Sequence, residues 1–170
     1  MDLKSIIRDV HDFPKKGIIY KDITPLLNNP EALKMSVKLL ADSVEGKGIT
    51  KVAGIESRGF IFGAAVAIEL GVGFVPIRKP GKLPAETLSE DYTLEYGTDT
   101  IEMHTDAVTG DDRVLIVDDL LATGGTVHAA VKLVEKAGAE VAKIAFVIEL
   151  EFLNGRNKIQ GYDTISLIKY

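Results

Sequence analysis

The 170-residue chain is 46% apolar and 26% charged, which suits a globular domain large enough to bury a core of its own. It has no cysteine, so disulfide scaffolds, thiolate zinc sites and cysteine nucleophiles are excluded. A net charge of −5 argues against a nucleic-acid surface, while a charged N-terminal stretch and the lack of an apolar run of about 18 residues argue against a secretory signal and a membrane span; the expected location is cytoplasmic.

Leu3, Ile6, Ile7 and Val10 recur at helical spacing and predict a helix over 2–10, ended by Phe13-Pro14. A second helix over 30–44 carries Leu33, Val37, Leu40 and Ala41 on one face, with Asn29 as its cap. A buried strand over 52–55, an alanine-rich helix over 59–70 and a strand over 73–77 follow. Residues 79–106 break the rhythm, with Pro80, Gly81, Pro84 and Gly97 among polar residues. Residues 93–96 and 100–104 could form a short hairpin across Gly97, and the whole stretch reads as a mobile cover over a site. Beyond it come a strand over 114–117, a helix over 126–137 ended by Gly138, and strands over 141–148 and 164–168. The alternation predicts an α/β fold in one domain, Rossmann-like, with a mainly parallel sheet covered by helices on both faces.

The most informative segment is Val117-Asp118-Asp119-Leu120-Leu121-Ala122-Thr123-Gly124-Gly125-Thr126. An apolar strand ends in two carboxylates, and a loop with two glycines and two threonines opens a helix. Amides at a helix start lack intrahelical partners and lie at the positive end of its dipole. A phosphate monoester can accept hydrogen bonds from them and from the hydroxyls of Thr123 and Thr126. Two acids beside a phosphate need donors of their own, and the vicinal hydroxyls of a ribose supply them. The segment therefore reads as a cradle for ribose 5-phosphate. A P-loop NTPase would need G-x-x-x-x-G-K-[ST], but Gly46-Lys47 and Gly81-Lys82 are followed by glycine and leucine. Ile55-Glu56-Ser57-Arg58-Gly59 repeats the strand–turn–helix design, with the forked cation of Arg58 and nearby amides suited to a second anion. His11, His104 and His128 show no metal-ligand spacing.

The 117–126 segment resembles the phosphoribosyl pyrophosphate (PRPP) signature of type I phosphoribosyltransferases, and the resemblance extends over nearly the whole chain. It includes Phe13-Pro14, Asp22-Ile23-Thr24-Pro25, Glu56-Ser57-Arg58-Gly59-Phe60 and Gly81-Lys82-Leu83-Pro84. Leu94-Glu95-Tyr96-Gly97 and Ile148-Glu149-Leu150 point to the members that use adenine. The resemblance implies purine salvage: transfer of the 5-phosphoribosyl group from PRPP to adenine, giving AMP and pyrophosphate. A 6-oxopurine enzyme, or a PRPP-sensing regulator without catalysis, are the alternatives.

The same resemblance implies site roles. Asp118 and Asp119 hold the ribose diol, and 122–126 hold the 5-phosphate. Ser57 and Arg58 meet pyrophosphate across a cis Glu56–Ser57 peptide, and Arg78 and Lys82 add cations. Arg58 and Glu95 are the catalytic candidates: Arg58 steadies the leaving group, and Glu95, beside Tyr96 on the closing loop, handles the purine proton. A hood over 11–29 covers the base through Ile19 and Lys21, with Leu120 on the other ring face; the flexible loop spans 79–106. Mg2+ is the implied cofactor, held mainly by substrate oxygens and water rather than by a protein cage. The expected partners are adenine, PRPP, AMP, pyrophosphate and a second copy of the chain in a homodimer, with no nucleic acid and no membrane.

Overall fold

The computed structural model describes residues 1–94 and 96–170. The chain does not open on the helix that the spacing of Leu3, Ile6, Ile7 and Val10 suggests. A single 3-10 turn, Leu3–Ile6, tucks Leu3 and Ile7 into the core. Strand β1 (Arg8–His11) then pairs antiparallel with β2 (Ile19–Asp22), Val10 opposite Tyr20. The Arg8 guanidinium closes the pair by donating to Asp22 Oδ2 at 2.5 and 2.9 Å. Pairing across seven residues of intervening chain overrides a weak local helical pattern, which no periodicity count can detect.

Helix α1 (Thr24–Asn28) is short. Helix α2 (Pro30–Asp42) begins as its sequence dictates: Asn29 Oδ1 accepts from the amides of Glu31 and Ala32, and Pro30 fills the first turn. Then come β3 (Lys51–Ile55), α3 (Arg58–Leu70) and β4 (Gly73–Ile77). The 79–106 stretch is more regular than its composition implies. Strands β5 (Thr87–Thr93) and β6 (Thr98–His104) pair along seven residues, with Ile101 and Met103 buried on one side of β6. Main-chain bonds between Arg78 and Glu102 tie β6 to the end of β4. Strand β7 (Arg113–Leu121), helix α4 (Gly125–Lys136), and strands β8 (Glu140–Glu149) and β9 (Thr164–Lys169) complete the chain.

Five strands form one parallel sheet in the order β4-β3-β7-β8-β9. Side chains alternate between its two faces along each strand. Val52, Leu115, Val117, Ala145 and Val147 pack toward α2 and α3, joined by Leu40, Phe62 and Val66. Ala53, Ile116, Ile144 and Phe146 pack on the other face with Val127, Val131 and Val134 of α4 and with Ile101 and Met103 of the β5–β6 hairpin. With both faces covered, the middles of the central strands, Val114–Val117 of β7 and Ile144–Ile148 of β8, are continuously apolar, as buried parallel strands require.

Candidate active site

Strand β3 feeds β4 on one side, and its other neighbour is β7, with Gly54 opposite Val117. The strand order reverses at this seam, and open parallel sheets bind ligands beyond the carboxyl ends of such strands. Both motifs singled out in the sequence emerge there. A cleft of about 360 Å3 between them is walled by Glu56, Ser57 and Arg58 from the first turn and by Asp118, Asp119, Leu120 and Thr126 from the second. A smaller hollow of about 80 Å3, walled by Ala122, Thr123, Gly124 and Gly125, shares Asp118, Leu120 and Thr126 with the cleft.

Helices α3 and α4 both start at this edge, and neither has a side chain capping its first turn, whereas α2 elsewhere is capped by Asn29. Their leading amides are thus available to an outside acceptor, with the helix dipoles favouring an anion. Gly124 holds φ +83°, a conformation that lets the loop turn directly into α4. The Glu56–Ser57 peptide is cis.

Charges are paired across the seam. Arg58 Nε donates to Asp119 Oδ2 at 2.5 Å, and Nη1 donates to the Tyr20 hydroxyl at 2.7 Å. Asp119 is buried. Burial, reinforced by the neighbouring charge of Asp119, pushes the Asp118 carboxyl well above its ordinary range. Arg78 Nη2 and Nε donate to the two oxygens of Glu56 at 3.0 and 3.3 Å, and this guanidinium holds Glu56 below the usual carboxylate range. Lys79 Nζ donates to the Tyr92 hydroxyl at 2.7 Å and pairs with Asp99, so the hairpin steadies a cation at the cleft wall.

The sequence-derived set divides cleanly. Ser57, Arg58, Asp118, Asp119, Leu120 and Thr126 line the cleft, and Ala122, Thr123, Gly124 and Gly125 line the adjoining hollow. Arg78 stands one contact back, behind Glu56. Lys82 is exposed and absent from the cleft wall; its carbonyl accepts from Arg78 Nη1 at 3.4 Å. Tyr96 is 85% exposed, and Ile19 is exposed as well. Lys21 points away from the cleft, its Nζ bound to Asp9 at 2.7 Å and lying 3.9 Å from the centre of the Tyr170 ring. Glu95 lies outside the described residues.

The cleft wall also includes Glu56, Lys79 and Tyr92, and Tyr20 stands beside it on Arg58; none of these is in that set. Lys79, rather than Lys82, is the cation that reaches it. Tyr20 contacts Arg58 from the β1–β2 hairpin, with its ring edge-on to Phe13 at 5.3 Å. Its aromatic ring amid an aliphatic, polar hood was the signal available in the sequence. Among the described residues, no group of three or more His, Asp or Glu side chains is arranged to hold a metal.

Residues 22–167 match the family profile described as the phosphoribosyl transferase domain, and the chain belongs to that family. The adenine phosphoribosyltransferase of Thermoanaerobacter sp. (strain X514) is 59% identical over 169 residues, covering 99% of this chain and 98% of its own. The crystal structure of adenine phosphoribosyltransferase from Thermoanaerobacter pseudethanolicus superposes with a TM-score of 0.96 at 59% identity, over 99% of this chain and 98% of that one. The Trypanosoma brucei enzyme, solved in complex with AMP, pyrophosphate and ribose-5-phosphate, superposes with a TM-score of 0.90 at 27% identity, over 98% of this chain and 78% of that one.

Proposed function

We propose that this chain is an adenine phosphoribosyltransferase. It transfers the 5-phosphoribosyl group from PRPP to adenine and releases AMP and pyrophosphate. The observation that carries the reading is the pair of uncapped helix starts at one seam, with two acids between them. That arrangement suits a sugar with a phosphate at each end and a diol in the middle.

In this reading the amides of 123–126 and the hydroxyls of Thr123 and Thr126 hold the 5-phosphate. Asp118 and Asp119 accept from the ribose hydroxyls. Ser57, Arg58 and Lys79 face the pyrophosphate; Arg78 orders the turn through Glu56, and Lys82 joins if the 79–106 segment closes. The hood over 11–29 and Leu120 enclose the base, with Tyr20 over the ring and with Ile19 and the main chain of Lys21 beside it, the Lys21 side chain being turned toward Asp9 and Tyr170. The bond from the anomeric carbon to pyrophosphate breaks, the bond to purine N9 forms, and the N9 proton leaves. Glu95, next to Tyr96, is the group we assign to that proton.

Positive charge builds on the sugar and negative charge on the leaving group, as in glycoside chemistry. The acids below the ring and the cations around the pyrophosphate therefore bind the transition state more tightly than the substrate. Arg58 serves both ends, because it bridges Asp119 and the hood residue Tyr20. The carboxylate pair and the polyphosphate supply hard oxygen donors that fit Mg2+. Bound with substrate, the ion would neutralise phosphate charge, with most of its ligands coming from substrate oxygens and water.

A homodimer fits Ile61 and Ile68, seven residues apart on one face of α3, which are 42% and 82% exposed. No helix among the described residues is long and apolar enough to cross a membrane. A cytoplasmic setting fits the charged substrates.

The decisive assay supplies PRPP, Mg2+ and one base at a time. AMP forms from adenine. Formation of IMP or XMP with no AMP rejects adenine as the substrate, and no nucleotide from any base rejects the enzyme.

A further inference from the structure

The loop that forms the small hollow rests on another stretch of backbone. A methyl group on Gly124 would fall 2.4 Å from the carbonyl oxygen of Gly155 and 3.2 Å from its Cα. The contact is reciprocal: a methyl on Gly155 would fall 2.3 Å from the carbonyl oxygen of Ala122 and 2.9 Å from a Leu121 methyl. Gly124 needs to be glycine for its positive φ in any case. Gly155 has no positive φ, so its constraint is purely one of space. Two main chains lie back to back here because neither residue carries a side chain.

The supporting stretch is itself anchored. Arg156 Nε and Nη2 donate to the two carboxylate oxygens of Glu149 at 2.7 and 2.8 Å, and Nη1 donates to the Thr164 carbonyl at 3.1 Å. Glu149 is buried, and the Arg156 hydrogen bonds hold its carboxyl below the usual range. It ends β8 directly opposite Leu121, and the amide of Leu150 donates to the Leu121 carbonyl at 3.0 Å. The rung of the sheet from which the loop springs is thus also the rung to which its support is clasped. The result is a closed circuit: Leu121 to Glu149, Glu149 to Arg156, and Gly155 back to Ala122 and Gly124. Neither the cleft nor the hollow is walled by Glu149, Gly155 or Arg156.

We propose that Glu149, Gly155 and Arg156 are positioning residues for the phosphate grip. The forked ion pair sets the height of the 122–125 backbone, and so the direction of its amides, without touching substrate. A planar, two-bonded pair suits this task because it fixes orientation as well as distance. The inference rests on the reading that this loop holds the 5-phosphate. It predicts a selective defect: ligands carrying that phosphate lose affinity, whereas pyrophosphate, held on the neighbouring turn, does not.

The test titrates ribose 5-phosphate and pyrophosphate separately into the full chain, as wild type, Arg156→Lys and Gly155→Ala. Arg156→Lys keeps the charge and loses the fork. Its affinity for ribose 5-phosphate is expected to fall about tenfold, as for one lost hydrogen bond to a charged group, with pyrophosphate affinity held within about twofold. In steady state the KM for PRPP rises more than the KM for adenine. Gly155→Ala gives the same pattern; if it fails to fold, Arg156→Lys decides alone. Equal weakening of both ligands, or none, overturns the inference. A wild type that binds pyrophosphate but not ribose 5-phosphate overturns the underlying reading, and the inference with it.

Discussion

Gly59 is the position where a single methyl group tests whether the site depends on close approach of helix to strand. It is the second residue of α3, next to Arg58, and is buried. A methyl there would lie 2.8 Å from Asp118 Oδ1, 3.0 Å from the Val117 carbonyl oxygen and 3.2 Å from Asp118 Cα. Two of these atoms belong to the backbone of β7, which is paired to strands on both sides and cannot retreat. The start of α3 must back away by about half an ångström instead, drawing Arg58 off Asp119. Overpacking of this kind destabilises by about 1–3 kcal/mol. Alanine recovers up to about 1 kcal/mol of that through helix propensity, since Gly59 is already helical. A net loss of about 1–2 kcal/mol is expected for Gly59→Ala in urea denaturation. The effect on catalysis is larger, because misplacing a charged group by a fraction of an ångström to 1 Å reduces kcat/KM by about 10- to 100-fold. Wild-type stability together with wild-type kcat/KM would refute the claim that glycine is there to seat the helix on the strand.

Three other outcomes follow from the same geometry. The Asp118 carboxyl titrates well above its ordinary 3.8 in the folded chain, so the folded state binds this proton more tightly than the unfolded chain does. The stability it contributes is complete below that ordinary value and drains away as pH rises through the folded one. Asp118→Asn removes the penalty, so its unfolding free energy relative to wild type should grow as pH rises above the ordinary 3.8 while activity falls; a difference that stays constant as pH rises would reject the assignment. Tyr20→Ala should raise the KM for adenine by about 5- to 100-fold through lost stacking. Tyr20→Phe, which loses only the Arg58 contact, should change it by less than about fivefold, and equal effects would refute a stacking role. Ile68→Glu should convert a dimer to a monomer in light scattering, and an unaltered mass would exclude that face of α3 from the interface.

The parts legible in the sequence are those whose chemistry is local. The strand, acid pair, glycines and helix start of 117–126 follow one another along the chain, so their joint meaning survives without a structure. Arg58 was legible for the same reason. Tyr20 carries no role in the sequence reading, because it meets Arg58 only through the pairing of β2 with β1; Lys79, one of the three cations of 78–82, is set at the cleft wall by Tyr92 and Asp99 on the distant hairpin. Lys82 stands out in the sequence because it follows Gly81 in a loop, whereas the structure puts Lys79 at the cleft wall. The β5–β6 hairpin looked irregular because its polar edge residues mask the alternation of Ile101 and Met103. The N-terminal segment carries four apolar residues at helical spacing, yet it forms a strand because Arg8 pairs with Asp22 across the hairpin.

Among the described residues, the β1–β2 hairpin shares no strand pairing with the five-stranded sheet. Tyr20 ties it to the seam between β3 and β7, through both its hydroxyl and its ring on Arg58. In the reading offered above, sugar and phosphates are gripped at the sheet edge, and the nitrogenous base lies between Leu120 of that edge and the hairpin, which is moored to the core by Ile7 and Ile23. The two halves can therefore diverge in part separately: a change of base preference can be sought in the hairpin (8–22) together with Leu120, leaving the costly machinery for the activated sugar untouched. Grafting that ribbon between relatives of different base preference is accordingly the shortest route to a changed substrate.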